Sequence, residues 1–139
     1  MGQDVQSRAN ASPLDPWMTR LLWFVGGYNL LAGLGMFTLY HEGLEFLGIP
    51  KPQFLLPIQL VGIMVALFGL GYCIVARRPA ENRNVLLLGF LSKLLGSLLG
   101  GYYVATGKAP PIFLGAIFFG DIIYLPPFWL ILRKLRRVN

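Results

Sequence analysis

Residues 85–105 read VLLLGFLSKLLGSLLGGYYVA, an apolar run with a single charged side chain, Lys93. About 20 apolar residues are needed to cross the roughly 30 Å hydrocarbon core of a bilayer as an α-helix. The run therefore predicts a transmembrane helix. A lysine inside such a helix is costly and normally has a partner, so the same stretch also points to a polar site within the membrane.

Three further apolar runs of similar length lie on either side of this one. The four predicted spans cover residues 17–40, 55–76, 85–105 and 111–132. The last two connections are short, so the helices they join must be antiparallel neighbours. The first connection, 41–54, is longer and favours a short helix in the membrane interface. The chain is thus predicted to be all-α, a polytopic membrane protein with a four-transmembrane-helix antiparallel bundle.

The composition is typical of a membrane protein. The 139 residues are 55% hydrophobic and 13% charged, whereas soluble domains carry about 25% charged residues. This excludes a disordered chain, a disulfide scaffold and a typical water-soluble enzyme. We expect one membrane domain over 1–139, with a polar N-terminal segment, 1–16, and a basic tail, 133–139.

Basic residues are distributed unevenly between the two sides of the predicted bundle. Nine of the twelve lysines and arginines flank one side, two lie on the other, and Lys93 is inside a span. Because loops rich in Lys and Arg stay in the cytoplasm, both termini are predicted to be cytoplasmic. The net charge of +6 needs no nucleic-acid partner, since a basic rim interacts with anionic lipid head groups.

Side chains that carry most membrane redox and metal chemistry are scarce. The chain has one histidine, His41, and one cysteine, Cys73. A haem between helices, a zinc or di-iron site and a thiol relay each need more such residues. We therefore expect no metal and no evident cofactor, with a quinone or a lipid left open as ligands.

Two ionisable residues fall well inside the spans, Lys93 and Asp121. Each costs about 2.5 to 3.5 kcal/mol at the centre of a transmembrane helix, and such residues usually pair. At 1.5 Å per residue, Lys93 lies about 15 Å and Asp121 about 18 Å from the basic ends of their helices. We predict an ion pair near the midplane. Such a pair can serve a ligand or proton, or it can simply hold two helices in register.

Other polar and small residues fall close to this depth. Asn29 in the first span and Tyr124 in the fourth are predicted to join the charged pair in a site for a ligand or a proton. Ser92, Gly96 and Gly100 form a stripe of small residues at i, i+4 and i+8, which predicts close helix packing.

A proline pair interrupts the fourth span. Pro126 and Pro127 lack amide hydrogens, so the carbonyls of Ile122 and Ile123 are predicted to lose their helix donors. A kink or hinge is expected there. Because free carbonyls at membrane depth are tolerated where they line a cavity, residues 120–128 are the predicted ligand-facing wall.

The second half of the chain resembles the DoxX-like proteins, small bacterial membrane proteins with four spans. The resemblance rests on 92–96 (SKLLG), 107–110 (GKAP) and 120–128 (GDIIYLPPF). Relatives carry Gly-Lys-x-x-Gly in the third span and Asn-Asp-x-Ile-Trp-x-Pro-Phe in the fourth.

Residue by residue, the correspondence to those motifs is partial. The matching residues are Lys93, Gly96, Asp121 and Phe128, whereas Ser92, Gly120 and Tyr124 replace Gly, Asn and Trp. The resemblance implies a four-helix bundle in a bacterial inner membrane, in a group that includes subunits tied to quinone or thiol redox systems. The single cysteine of this chain counts against a thiol role.

Three classes of function follow from these residues. The first is a non-catalytic accessory subunit, or a binder of a lipophilic small molecule at the midplane site, and the scarcity of catalytic groups favours it. The second is a small proton-coupled transporter in which Asp121 exchanges a proton. A membrane enzyme is the least favoured. The lipid bilayer is the expected partner, and a homo-oligomer or a larger membrane complex stays open.

Overall fold

The computed structural model describes residues 2–3 and 12–138. Within 12–138 the helices are α1 (Pro16–Thr38), α2 (Tyr40–Leu47), α3 (Leu56–Arg77), α4 (Arg83–Ala105), α5 (Ile112–Gly120) and α6 (Leu125–Val138), with a 3₁₀ turn, Ile122–Tyr124, between α5 and α6. These described residues contain no strand, so the all-α prediction is confirmed. Most of the predicted N-terminal segment 1–16, and the last residue of the predicted tail, lie outside the described residues.

The four predicted spans correspond to helices that are long and apolar enough to cross a membrane. They are Pro16–Thr38, Leu56–Arg77, Arg83–Ala105 and, across an interruption at Asp121, Ile112–Val138. The first three begin and end within two residues of the predicted limits. The fourth continues well past residue 132, so the segment predicted as a basic tail forms the last turns of α6. This extension is amphipathic, because Leu135 is buried while Arg136 and Arg137 are exposed.

The connection 41–54 contains the short helix that the sequence predicted. This helix, α2, ends at Leu47 and is followed by Gly48, which adopts the left-handed conformation at φ 67°. Glycine is suited to this position because it has no Cβ to clash there. Phe46 on α2 is 77% exposed, which leaves a large apolar side chain on the surface of this end of the bundle.

The most extensive helix contact joins α1 and α3. A Cβ on Gly69 would lie 2.6 Å from the Gly26 carbonyl oxygen, and one on Gly62 would lie 2.7 Å from the Gly33 carbonyl oxygen. Side chains other than hydrogen therefore do not fit at these crossings. Small residues let transmembrane backbones touch, and here they do so between the first two spans.

The apolar core fills one half of the bundle. This half, which we call the basic end, contains the start of α1, the end of α3, the start of α4 and all of α6, and it carries Arg77, Arg78, Arg83, Arg133, Lys134, Arg136 and Arg137. The largest fully buried side chains all lie in it: Tyr72, Phe128, Leu22, Leu86, Ile131, Leu135, Val25 and Val75. An ion pair from Lys134 to Asp15, 2.5 Å long, joins α6 to the start of α1. The polar site described next borders this core.

Candidate functional site

Lys93 and Asp121 form the ion pair that the sequence predicted. Lys93 Nζ lies 3.2 Å from Asp121 Oδ1 and donates a second hydrogen bond, 2.7 Å long, to the carbonyl oxygen of Gly120. The lysine side chain is 5% exposed, whereas the aspartate side chain is 34% exposed. The pair is therefore asymmetric, with an enclosed cation and an anion that other groups can reach.

The Gly120 carbonyl is available to the lysine because the fourth span breaks at this point. α5 ends at Gly120, and Asp121 has non-helical backbone angles, φ −131° and ψ −58°. The N–H of Tyr124 donates to the Asp121 carbonyl at 3.2 Å instead of to the carbonyl four residues back. The Gly120 carbonyl, at membrane depth, thus loses its donor within the helix and accepts a hydrogen bond from the Lys93 ammonium group instead.

The break begins at Asp121, directly before the two carbonyls, of Ile122 and Ile123, that the proline pair was predicted to free. The Ile122 carbonyl, expected to be free, accepts a hydrogen bond from the N–H of Leu125, because the chain continues as a 3₁₀ turn before α6 starts. Pro126 and Pro127 occupy the first turn of α6. Amide hydrogens in the first turn of a helix have no acceptor within the helix, so the two prolines remove no helix hydrogen bond there.

Two tyrosine rings lie beside the lysine. Lys93 Nζ is 5.3 Å from the ring centroid of Tyr124 and 5.9 Å from that of Tyr72. Both tyrosines are buried, at 7% and 1% exposure. Gly89 makes room for this arrangement, since a Cβ there would lie 2.5 Å from the Tyr72 hydroxyl oxygen. Aromatic faces attract cations, so the rings stabilise the buried ammonium.

A cavity of about 200 Å³ adjoins the ion pair. Its polar lining residues are Tyr28, Asn29, Tyr72, Ser92, Lys93 and Asp121. Of these, Tyr28 and Ser92 are exposed and form the rim. The cavity therefore lies between α1, α3, α4 and the break in the fourth span, and it opens at the surface of the bundle.

Asn29 is the unusual member of this lining. It is 6% exposed, yet its carboxamide makes no hydrogen bond to any residue within 2–3 or 12–138. In the same part of the chain, every fully enclosed side-chain nitrogen or oxygen has a partner. Both polar atoms of the carboxamide are therefore accessible, and Asn29 lines the cavity. An amide inside a membrane bundle that has no protein partner is costly unless water or a ligand in the cavity completes its hydrogen bonds.

The remaining predicted residues are distributed around this site. Ser92 lies on the rim, and a Cβ on Gly96 would lie 3.9 Å from Asp121 Oδ2. Gly100 makes a tight contact further along α4, where a Cβ would lie 3.1 Å from Ile117 Cγ1. Tyr124 is close to the lysine but does not line the cavity.

Sequence reasoning missed two residues of the site, Tyr28 and Tyr72. The Tyr28 ring lies 6.2 Å from that of Tyr124, and Tyr72 packs edge-on at 5.1 Å from Phe128. A hydroxyl-bearing ring inside a predicted span was the available signal in both cases. It was weak, because tyrosine is also common where spans meet the interface.

The site presents hydrogen-bond donors on Lys93, Asn29 and the tyrosines, and acceptors on Asp121 and Asn29. Such a set suits an uncharged molecule with carbonyl or hydroxyl groups. Among the described residues, no group of three His, Cys, Asp or Glu side chains could hold a metal ion.

Fold and site together define a class: a multi-pass helical membrane protein with a buried ion pair at a broken transmembrane helix. Comparison of the chain with known protein families, with curated proteins and with solved structures finds no match.

Proposed function

We propose that this protein is a non-catalytic binder of a lipophilic small molecule, acting alone or as an accessory subunit of a membrane complex. The observation that carries the proposal is the Asn29 carboxamide, which lines the cavity beside the ion pair and has no hydrogen-bond partner among residues 2–3 and 12–138. A ligand carbonyl or hydroxyl in the cavity would satisfy it. An ion pair that only holds two helices in register would need neither the Asn29 amide nor the adjoining cavity.

The size of the cavity limits what it can hold. Pockets for whole drug-sized ligands measure about 300 to 1,000 Å³, and this one is smaller, at about 200 Å³. It suits a polar head group, with the apolar remainder passing the rim at Tyr28 and Ser92 into lipid. A quinone or a lipid has this shape and polarity.

The proposed setting is a bacterial inner membrane with both chain termini in the cytoplasm. The uneven distribution of basic residues supports this orientation. Relationship to the DoxX-like proteins belongs to the same proposal, and it is supported by Lys93, Gly96, Asp121 and Phe128.

The test uses Asn29→Leu, with Ser97→Ala as the matched control. Ser97 also carries a polar group near the pair, but its hydroxyl donates to the Lys93 carbonyl of its own helix at 2.7 Å and does not line the cavity. Each protein is purified in mild detergent. Native mass spectrometry then measures co-purified small molecules and binding of an added short-tailed quinone.

Because the Asn29 amide has no partner among the described residues, Asn29→Leu should fold as well as the wild type. We expect it to lose the bound molecule and to weaken quinone binding by about tenfold, the effect of one lost hydrogen bond to a buried group. Ser97→Ala should bind within about twofold of the wild type on the same basis. Equal retention by both variants would rule out this cavity as the binding site.

A second candidate, a small proton-coupled transporter, is favoured by the break in the fourth span. Transporter sites are often built where a transmembrane helix is discontinuous and an ionisable side chain lies at the gap. Asp121 would carry the proton and the segment containing Pro126 and Pro127 would serve as the hinge.

Asp121→Asn separates this candidate from the first. The substitution keeps the shape and one carbonyl acceptor for Lys93 but removes its counter-charge, so uptake is compared at equal amounts of folded protein. In proteoliposomes with an imposed pH gradient, a transporter should lose proton-driven uptake in this variant. Unchanged uptake would exclude a proton-carrying Asp121.

A further inference from the structure

A second polar cavity lies at the basic end and shares no lining residue with the ion-pair site. It measures about 300 Å³ and lies between the start of α4 and the end of α6. Its charged lining consists of Arg83, Arg133 and Arg136, and its apolar lining includes Leu87, Phe90 and Trp129.

The three arginines have no acidic partner in the part of the chain that the structure describes. The ion pairs there join Arg78 to Glu81, Lys93 to Asp121, Lys134 to Asp15 and His41 to Glu45. Three positive charges therefore face one cavity without neutralisation. Such a cluster attracts an anion, and the planar guanidinium fork matches the oxygens of a phosphate.

Two of the arginines are held in place by the protein. Arg83 Nε donates to the Leu132 carbonyl at 3.4 Å, and the Arg133 guanidinium lies 5.3 Å from the Trp129 ring centroid. Each contact leaves most N–H groups of the guanidinium unused. The charges are thus positioned before any ligand arrives, which lowers the entropy cost of binding.

The start of α4 adds to the positive potential. The helix begins at Arg83; among its first N–H groups, that of Val85 donates to the Asn82 carbonyl, and no side-chain cap satisfies the others. These groups and the helix dipole favour an anion at this end.

The cavity is polar at one end and apolar at the other. Leu87 and Phe90 follow Arg83 by four and seven residues, which places them about 6 to 10 Å deeper along the helix. Trp129 lies one turn before Arg133, also on the deeper side. A phospholipid has the same order, with its phosphate at the surface and its acyl chains further in.

We propose that this cavity is a binding site for an anionic phospholipid. The phosphate lies among Arg83, Arg133 and Arg136, and an acyl chain passes over Leu87 and Phe90. The site is separate from the proposed ligand cavity and does not depend on it. Basic pockets between transmembrane helices are suited to anionic head groups.

The test compares two triple variants with the same loss of charge at the same end. The first is Arg83→Gln, Arg133→Gln, Arg136→Gln. The control is Arg20→Gln, Arg77→Gln, Arg137→Gln, which removes three basic residues that do not line this cavity. Binding of dioleoylphosphatidylglycerol and of neutral dioleoylphosphatidylcholine is titrated by native mass spectrometry of the full chain.

We expect the wild type to prefer the anionic lipid, and the cavity variant to bind it about tenfold more weakly than the control variant does. Equal weakening in both variants would show a diffuse basic rim and overturn the proposal. If the cavity variant does not fold, the same three arginines are replaced by lysine, which keeps the positive charge and removes only the planar guanidinium group. Binding of the anionic lipid equal to that of the wild type would then show that the guanidinium groups do not hold the phosphate, and would overturn the proposed site.

Inorganic phosphate distinguishes the two sources of the anion. We expect millimolar phosphate neither to stabilise the purified wild type against heat nor to displace the lipid. Stabilisation by phosphate equal to that by the anionic lipid would show a site for a soluble phosphate and overturn the lipid proposal, as would the absence of any preference of the wild type for the anionic lipid.

Discussion

At the scale of single residues, Lys93 and Asp121 are paired but not equivalent. The ammonium is almost fully enclosed and has two oxygen acceptors and two ring faces around it. The carboxylate is a third exposed and lies next to the cavity. Loss of one partner therefore has a different cost from loss of the other, because an unpaired charge is tolerated only where water or another polar group can reach it.

We predict that Asp121→Leu destabilises the protein by about 3 kcal/mol, because it leaves a buried cation short of its counter-charge. Lys93→Leu should cost less, about 1 kcal/mol, since the carboxylate can be hydrated from the cavity. The double variant should recover most of the loss. Thermal unfolding in detergent, followed by circular dichroism, measures all three; a double variant less stable than Asp121→Leu alone would contradict the pairing.

At the scale of helices, the contact between α1 and α3 depends on glycines. Gly26, Gly33, Gly62 and Gly69 let the two backbones touch. The small-residue stripe in the third span makes one comparable contact, at Gly100. Hydrophobicity does not drive helices together in lipid, so packing at such crossings supplies much of the association energy.

Gly33→Ala tests this crossing. Its Cβ would meet the backbone of Gly62 and Ala66, so we expect a loss of about 1 to 3 kcal/mol from overpacking. Gly35→Ala, two residues along the same helix, is the control, because a Cβ there meets nothing within 4 Å. Thermal unfolding should show a lower midpoint temperature for Gly33→Ala than for the wild type, and an unchanged one for Gly35→Ala. Equal midpoint temperatures for the two variants would mean that α1 and α3 are further apart.

At the scale of the whole molecule, buried apolar side chains and charge share one end. The core residues and most arginines lie at the basic end, whereas the loop after α4 carries Lys108 and a left-handed Gly107. Lys108 Nζ lies 5.5 Å from the Tyr102 ring. The molecule is thus polar at both ends but strongly basic at only one, which favours a single orientation in a membrane.

Cysteine labelling tests that orientation. Cys73→Ala removes the single native cysteine, and Lys108→Cys or Glu81→Cys then places one thiol at either end. In intact cells, a membrane-impermeant maleimide should label the Lys108→Cys variant. It should label the Glu81→Cys variant only after permeabilisation, because the positive-inside rule places the basic end in the cytoplasm. The opposite pattern would invert the proposed topology.

The sequence by itself determined the four spans and the ion pair, since apolar length marks a span and an intramembrane charge needs a partner. Only the tertiary structure decided which carbonyl the lysine meets, that Asn29 lines a cavity without a partner in the described part of the chain, and that three arginines share one cavity. The physical reason is that all apolar faces of a helix are alike to lipid. Hydropathy therefore locates a helix in the membrane, while its rotation and its neighbours depend on packing at particular small residues.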